Sequence, residues 1–268
     1  MKKERLDKIL VDLGFFENKS KASAAILAGN VMIGTDVITK AGFQIDPAKE
    51  YDFKVKTMPY VSRGGFKLKK ALETFDVIVK DRICFDAGAS TGGFTDCLLQ
   101  NGAKFVYAVD VGYGQLDWKI RSSEQVKTIE KTNLKICTKD DIYSAGEPLA
   151  DLLVSDLSFI SLTKVIPNLK TLLNPEFHEM ICLIKPQFEA GKELVEKGGV
   201  VKDKKTHELV ITNVLTCIKD LGYIIKDLTY SSIKGPAGNI EYLVWFATEG
   251  EEVEISIPEI VNSAHENL

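Results

Sequence analysis

One stretch restricts this chain more than any other: Ile83-Cys84-Phe85-Asp86-Ala87-Gly88-Ala89-Ser90-Thr91-Gly92-Gly93-Phe94. An apolar run gives out at Asp86, passes through glycines and resumes with a helical pattern. A strand that turns sharply into a helix is the building unit of α/β sheets. The glycines remove Cβ atoms that would hold a ligand away from the backbone. The helix that follows offers unpaired N–H groups to the space above the turn. The spacing excludes two common phosphate sites. Without a Gly-Lys-Ser/Thr ending it is no P-loop, and G-x-x-x-G-G departs from the G-x-G-x-x-G dinucleotide fingerprint. An Asp ahead of such a turn suits a ligand with a cationic amino-acid end, such as S-adenosylmethionine. Taken alone, the stretch also describes a tight strand–helix turn that holds nothing.

The pattern around it repeats. Strands are expected at Ile83–Ala87, Phe105–Val109, Val126–Glu130, Asp151–Ser155, Met180–Ile184, Tyr223–Tyr230 and Glu241–Ala247, with helices ending near Gly102 and spanning Ile160–Leu173 and Thr206–Leu221. Such alternation predicts a Rossmann-like α/β domain, a mostly parallel seven-stranded sheet with helices on both faces. Ligands in these sheets bind beyond the carboxyl ends of the strands. Charged residues repeatedly stand at those ends: Asp86, Asp110, Asp156 and Lys185. The expected cofactor contacts are Asp86, Gly88, Ser90, Thr91, Gly92, Gly93 and Asp156, with Asp110 for a ribose and Asp140 and Asp141 for an adenine amino group.

The first part of the chain has a different grammar. Leu6, Ile9, Leu10 and Leu13 fall at helical spacing, and Gly14 stops that helix. A second helix, Lys21–Ala28, is expected with Ser20 as its N-cap and Gly29 beyond its end. A hairpin follows through Val31-Met32-Ile33, the turn Gly34-Thr35-Asp36 and Val37-Ile38, and then a strand at Tyr51–Lys56. The expected division is a small α+β domain over residues 1–58, a linker at 59–63 around the break at Pro59, and a large domain over 64–268 ending in an acidic tail. Residues 1–70 carry 14 Lys/Arg against 8 Asp/Glu, a net of +6, in a chain of net charge −4. A basic module on an acidic body suggests a polyanion held at one end. It is equally consistent with an ordinary solvated surface. Ala247–Leu268 has six glutamates and no Lys or Arg.

At 268 residues the chain suits one large or two unequal domains. Its apolar runs are far too short to cross a bilayer, and its charged N-terminus is unlike a signal core, so a cytoplasmic protein is expected. The five cysteines are scattered and form no Cys-x-x-Cys pair, which supports neither a disulfide framework nor a metal site. The three histidines receive no role.

Six motifs in order resemble the TlyA family: Tyr60-Val61-Ser62-Arg63-Gly64-Gly65, the Phe85–Asp96 turn, Val109-Asp110-Val111-Gly112-Tyr113-Gly114-Gln115-Leu116, Ser155-Asp156-Leu157-Ser158-Phe159-Ile160-Ser161, Leu183-Ile184-Lys185-Pro186-Gln187-Phe188-Glu189, and Gly235-Pro236-Ala237-Gly238-Asn239-Ile240-Glu241. Ser90-Thr91 replaces the Pro often found in that loop of FtsJ-like relatives, which follows the TlyA branch. The N-terminal pattern Arg5-Leu6-Asp7, Ser20-Lys21-Ala22 and Leu27-Ala28-Gly29-Asn30-Val31 resembles the ribosomal-protein-S-four type of RNA-binding module. The resemblance implies an S-adenosylmethionine-dependent 2′-O-methyltransferase acting on cytidine in ribosomal RNA of both subunits, with an FtsJ-like catalytic domain and no metal. It implies a catalytic set Lys67, Asp156, Lys185 and Glu241, with Lys185 as base. RNA contacts are expected from Arg5, Lys19, Lys21, Lys40, Arg63 and Lys67. Without the resemblance, the four catalytic candidates read as ion pairs at the sheet edge. Two other functions compete: a membrane-active haemolysin, since family members often bear that label, and an RNA-binding protein whose methyltransferase fold is inactive.

Overall fold

The structure, a computed structural model, describes residues 3–56 and 58–268; Met1, Lys2 and the expected linker residue Thr57 lie outside the described residues. The chain divides into two units, residues 1–59 and 60–268. In the smaller unit, β1 (Glu4–Arg5) leads into α1 (Leu6–Asp12), followed by α2 (Lys19–Leu27), β2 (Val31–Ile33), β3 (Asp36–Ile38), β4 (Gln44–Ile45) and β5 (Phe53–Val55). Leu6 and Leu10, one turn apart, meet Ile26, Val31 and Ile45 in its core. β2 lies between β3 and β5, and β1 pairs with β4. The cap of α2 is Asn18, whose side chain accepts from the Lys21 amide at 3.0 Å, so Ser20 sits inside the helix instead of capping it. Either residue type can cap; here the chain enters the helix one half-turn earlier.

The larger unit begins at Tyr60. Tyr60 is buried, and the Val61 amide donates to Asp96 at 2.9 Å. The expected linker thus lies against the larger unit from Tyr60 onward. Its elements are α3 (Gly64–Thr74), β6 (Ile83–Ala87), α4 (Gly93–Gln100), β7 (Phe105–Val109), α5 (Trp118–Arg121), β8 (Val126–Ile129), α6 (Lys139–Ile142), β9 (Leu152–Ser155), α7 (Ile166–Leu172), β10 (Glu179–Ile184), α8 (Pro186–Glu189), α9 (Lys204–Asp220), β11 (Ile224–Tyr230), β12 (Tyr242–Ala247) and α10 (Ile257–Asn267).

Seven of these strands form one sheet in the order β11-β12-β10-β9-β6-β7-β8. β12 runs antiparallel to β10 and β11, and the other pairs are parallel. The inner strands β6, β7, β9 and β10 are mostly apolar because both faces are covered. One layer packs Phe85, Leu153, Met180 and Val244 against α7 and α9. The other packs Cys84, Val106, Ile181 and Leu243 against Leu68 of α3 and Cys97 and Leu98 of α4. The acidic C-terminal stretch is not a loose tail: α10 buries Val261 and Ala264 in the core. All five cysteines are unpaired. His178 and His207 are buried and hydrogen-bonded to Tyr223 and Tyr242, which leaves them a structural part.

Strand order reverses between β6 and β9, and ligands of open α/β sheets bind at such a switch point. The carboxyl ends of β6 and β9 abut there. A Cβ placed on Gly88 would stand 3.1 Å from the Asp156 carbonyl oxygen.

Candidate active site at the carboxyl edge of the sheet

A cleft of 410 Å³ opens over the switch point, lined among others by Gly88, Ser90, Asp110, Gln115, Asp156 and Ser158. Its floor is the Gly-rich turn. Asp110, the first residue after β7, accepts from the Ser90 amide at 2.7 Å and from the Gly112 amide at 2.6 Å. One carboxylate thus ties the turn after β6 to the loop after β7, and each oxygen keeps a lone pair for a hydroxyl in the cleft. Ser90 adopts a left-handed backbone, φ 49°, which that tie holds in place.

Asp86 is fully buried at the end of β6. Its Oδ2 accepts from the Thr95 hydroxyl at 2.6 Å, whereas Oδ1 has no partner. Burial pushes this carboxyl up to about 7, against the hydrogen bond from Thr95. A buried acceptor without a donor fits a cationic group brought by a ligand. The glycines have other neighbours than the ligand that the sequence suggested. Gly92 is left-handed at φ 93°, and a Cβ on it would stand 2.9 Å from Leu116 and 3.2 Å from Ile120. A Cβ on Gly93 would meet Ser62 and stand 2.9 Å from the Gly65 amide nitrogen. These two positions let α4 start tightly against α3 and the loop before α5; Gly88 is the glycine of this turn that lines the cleft.

Asp140 and Asp141 are exposed on α6 and are not among the cleft's lining residues. Asp141 closes a capping box with Thr138, accepting from its amide at 2.7 Å and its hydroxyl at 2.9 Å. Those bonds lower its pKa. The Thr138-Lys139-Asp140-Asp141 spacing carried that capping signal in the sequence. That part of the chain reaches the cleft instead through the 132–135 segment, which lines it together with Val111.

Beside the cleft, four charged side chains from distant parts of the chain converge. Lys67 projects from α3, Asp156 and Lys185 follow β9 and β10, and Glu241 precedes β12. Because β12 is antiparallel to β10, with Tyr242 opposite Ile184, its beginning lies at the edge where β10 ends. Lys67 Nζ stands 2.7 Å from Glu241 Oε2 and 3.4 Å from Asp156 Oδ2; Lys185 Nζ stands 2.6 Å from Asp156 Oδ1. Lys67 and Glu241 are buried, as is most of Lys185. Burial works against the Lys67 charge, but Asp156 and Glu241 outweigh it and hold its pKa above the ordinary value. The charges balance at two against two.

Sequence reasoning assigned no part to several neighbours of this set. Ser158 accepts from Lys185 at 2.8 Å, and Gln187 reaches Glu241 at 3.5 Å. Phe159 is left-handed, φ 64°, 91% exposed, and its ring lies 5.0 Å from that of Phe188. All four residues lie within stretches that carry the family resemblance, which was the signal available. Among the described residues no group of three or more His, Cys, Asp or Glu is placed to hold a metal ion.

Of the expected RNA contacts, Arg63 is exposed and Lys67 is committed to the buried set. In the smaller unit Arg5 is held by Asp7 through contacts of 3.0 and 2.5 Å, and Lys21 pairs with Glu17 at 2.7 Å. Lys19 and Lys40 are exposed and form no salt bridge among the described residues. Arg5 and Lys19 share a shallow groove with Ser20 and Ser23.

The FtsJ-like methyltransferase family model matches residues 60–248, which contain the whole cleft and the four charged residues, and the S4 domain model matches residues 4–50. The chain is 39% identical over 92% of its length to a protein of Mycobacterium tuberculosis named 16S/23S rRNA (cytidine-2′-O)-methyltransferase TlyA, covering 91% of it. This chain belongs to the TlyA family of FtsJ-like methyltransferases. The TlyA-family chain is also 46% identical to YqxC of Bacillus subtilis, over 100% of this chain and 96% of that one. A solved structure from Streptococcus thermophilus, which carries the name hemolysin, matches at a TM-score of 0.76 and 40% identity, covering 100% of this chain and 97% of that one. The TlyA-family match thus joins the S4 domain and the methyltransferase domain in a single comparison.

Proposed function

We propose that this TlyA-family protein methylates the 2′-hydroxyl of cytidine in ribosomal RNA, using S-adenosylmethionine. The observation that carries the reading is the assembly of Lys67, Lys185 and Glu241 around Asp156, which lines the switch-point cleft. The residues present fit the cofactor: Asp86 offers an unpartnered buried acceptor for its ammonium, and Asp110 has lone pairs left for its ribose hydroxyls. When bound, S-adenosylmethionine supplies a sulfonium methyl group, and the C–S electron pair leaves with sulfur.

The chain's own task is to make a ribose hydroxyl nucleophilic. Lys67, whose charge is reinforced by two carboxylates, serves as the fixed cation. It satisfies Glu241 and leans on Asp156, which leaves Lys185 as the amine able to accept the 2′-hydroxyl proton. Asp156 steadies the ammonium that results. Lys19 and Lys40 of the S4 domain support binding through phosphates, which gives affinity without reading bases. A ribosomal substrate supports a cytoplasmic location.

The test is to incubate the purified protein with labelled S-adenosylmethionine and ribosomal subunits that lack the modification, then analyse the nucleosides by mass spectrometry. The expected product is 2′-O-methylcytidine. A methyl group on a base, or none at all, would overturn the proposal. The haemolysin reading finds less support: no helix among the described residues is long and apolar enough to cross a membrane.

A further inference from the structure

We propose that Ser158 is a positioning residue that aims the Lys185 lone pair at the substrate; the proposal rests on the methyltransferase reading above. Lys185 Nζ has two oxygens beside it: Asp156 Oδ1, in an ion pair at 2.6 Å, and Ser158 Oγ, which accepts a hydrogen bond at 2.8 Å. A neutral amine has two N–H bonds and one lone pair in a roughly tetrahedral arrangement. If Asp156 and Ser158 take the two N–H bonds, the lone pair is left with one direction. With a single acceptor, the amine rotates about its Cε–Nζ bond, and the lone pair sweeps past the substrate. The proton transfer then depends on chance orientation.

Two further features make Ser158 suited to the task. It lines the cleft together with Asp156, so both oxygens beside the Lys185 amine stand at the cleft wall. It also lies on a braced loop. The segment from Asp156 to Ser161 is tied to the Lys185–Glu189 segment at both ends. Asp156 and Ser158 hold Lys185, and Glu189 accepts from the Ser161 hydroxyl at 2.6 Å and from the Leu162 amide at 2.7 Å. The left-handed Phe159 next to Ser158 is a conformation that needs such bracing. The balanced step is simple. The ribose oxygen would form the new O–CH3 bond as the methyl–sulfur bond gives its electron pair to sulfur, the 2′-hydroxyl proton passes to the Lys185 lone pair, and Lys185 becomes an ammonium ion. That ion has three N–H bonds, two of which remain on Asp156 and Ser158.

The experiment compares wild type, Ser158→Ala and Ser158→Thr in the full-length protein. Ser158 is exposed, so removal of one oxygen leaves the core untouched. Single-turnover methylation of ribosomal subunits is measured at saturating RNA and cofactor, and cofactor affinity is measured by calorimetry. Ser158→Ala should slow the single-turnover rate about 10- to 100-fold, the range of one lost hydrogen bond to a charged group. Its cofactor affinity should move less than about twofold, and Ser158→Thr should recover most of the rate because it restores the hydroxyl. An alanine variant at wild-type rate would overturn the proposal. So would equal losses in both variants, or a loss confined to cofactor affinity. A wild-type protein that transfers no methyl group overturns the methyltransferase reading and this proposal with it. An active wild type with an equally active alanine variant overturns this proposal alone.

Discussion

The two edges of the seven-stranded sheet carry buried charge networks built from neighbouring strands, with opposite outcomes. At the amino edge, Arg82 reaches Asp151 Oδ1 at 2.9 Å, the Asp151 carbonyl at 2.6 Å and the Glu179 carboxylate, and Trp245 donates to Glu179 at 2.7 Å. Burial alone would pull the guanidinium down, but Glu179 and Asp151 hold its pKa above the ordinary value. Arg82 cannot give up its proton, and its fork locks three strands together. At the carboxyl edge the cations are lysines, and both pair with Asp156, which lines an open cleft. An ammonium shared among acceptors can become an amine; a guanidinium cannot. The same ion-pair chemistry thus gives a clamp at one edge and, on the function proposed above, a proton acceptor at the other.

The largest expected effect comes from abolishing that difference. Lys185→Ala should lower the single-turnover rate about 10²–10⁴-fold, the usual worth of a general base. Lys185→Arg should be nearly as slow, because it places amino-edge chemistry at the carboxyl edge. Single-turnover rates at saturating substrate check this, and an arginine variant near wild type would show that charge alone matters there.

The second test probes the clamp. Arg82→Ala leaves Glu179 buried without its cation, and denaturant unfolding should show a loss of about 3–5 kcal/mol. The rate constant of the folded fraction should remain at the wild-type value. A stable variant with slow turnover would contradict the separation of the two edges.

The smallest expected effect lies next to the reactive centre. Asp86 has its carboxyl raised to about 7, so it is largely neutral at pH 6 and ionised at pH 8. An ionised Asp86 attracts an ammonium, so cofactor binding should strengthen as pH rises through 7, by about tenfold between pH 6 and 8. In the apo protein the sign is opposite. A raised carboxyl pKa stabilises the fold below that pKa, and the contribution fades as pH rises to about 7. Calorimetry and thermal unfolding at both pH values check the two signs, and Asp86→Asn should flatten both.

The carboxyl edge was largely legible because parallel strands announce themselves. Asp86, Asp110, Asp156 and Lys185 stand where apolar runs stop, and each lies at that edge. Glu241 escapes that rule. It precedes its strand, and only the reversed direction of β12 brings it beside Lys67; the family resemblance supplied it. Ser158 escaped for a different reason, since nothing in a short loop's composition tells which hydroxyl meets a lysine from another strand. The glycine turn showed its place correctly but not its reason. Whether a missing Cβ admits a ligand or a helix depends on residues far away, such as Ser62 and Leu116. Asp140 and Asp141 do not line the cleft; an acidic residue near a strand end serves a helix cap as well as a binding site, and Asp141 does so here.

The reversed strand has a consequence for how the enzyme comes into being. β12 sits between β10 and β11, so β11, although made earlier, has no place in the sheet until β12 emerges from the ribosome. The strands that border the cofactor cleft are complete well before then. A nascent chain that stops short of Glu241 therefore holds every residue that lines the cleft, while Lys67 still lacks its nearest carboxylate. The charge set beside the cleft is therefore completed only by the last strand to be synthesised.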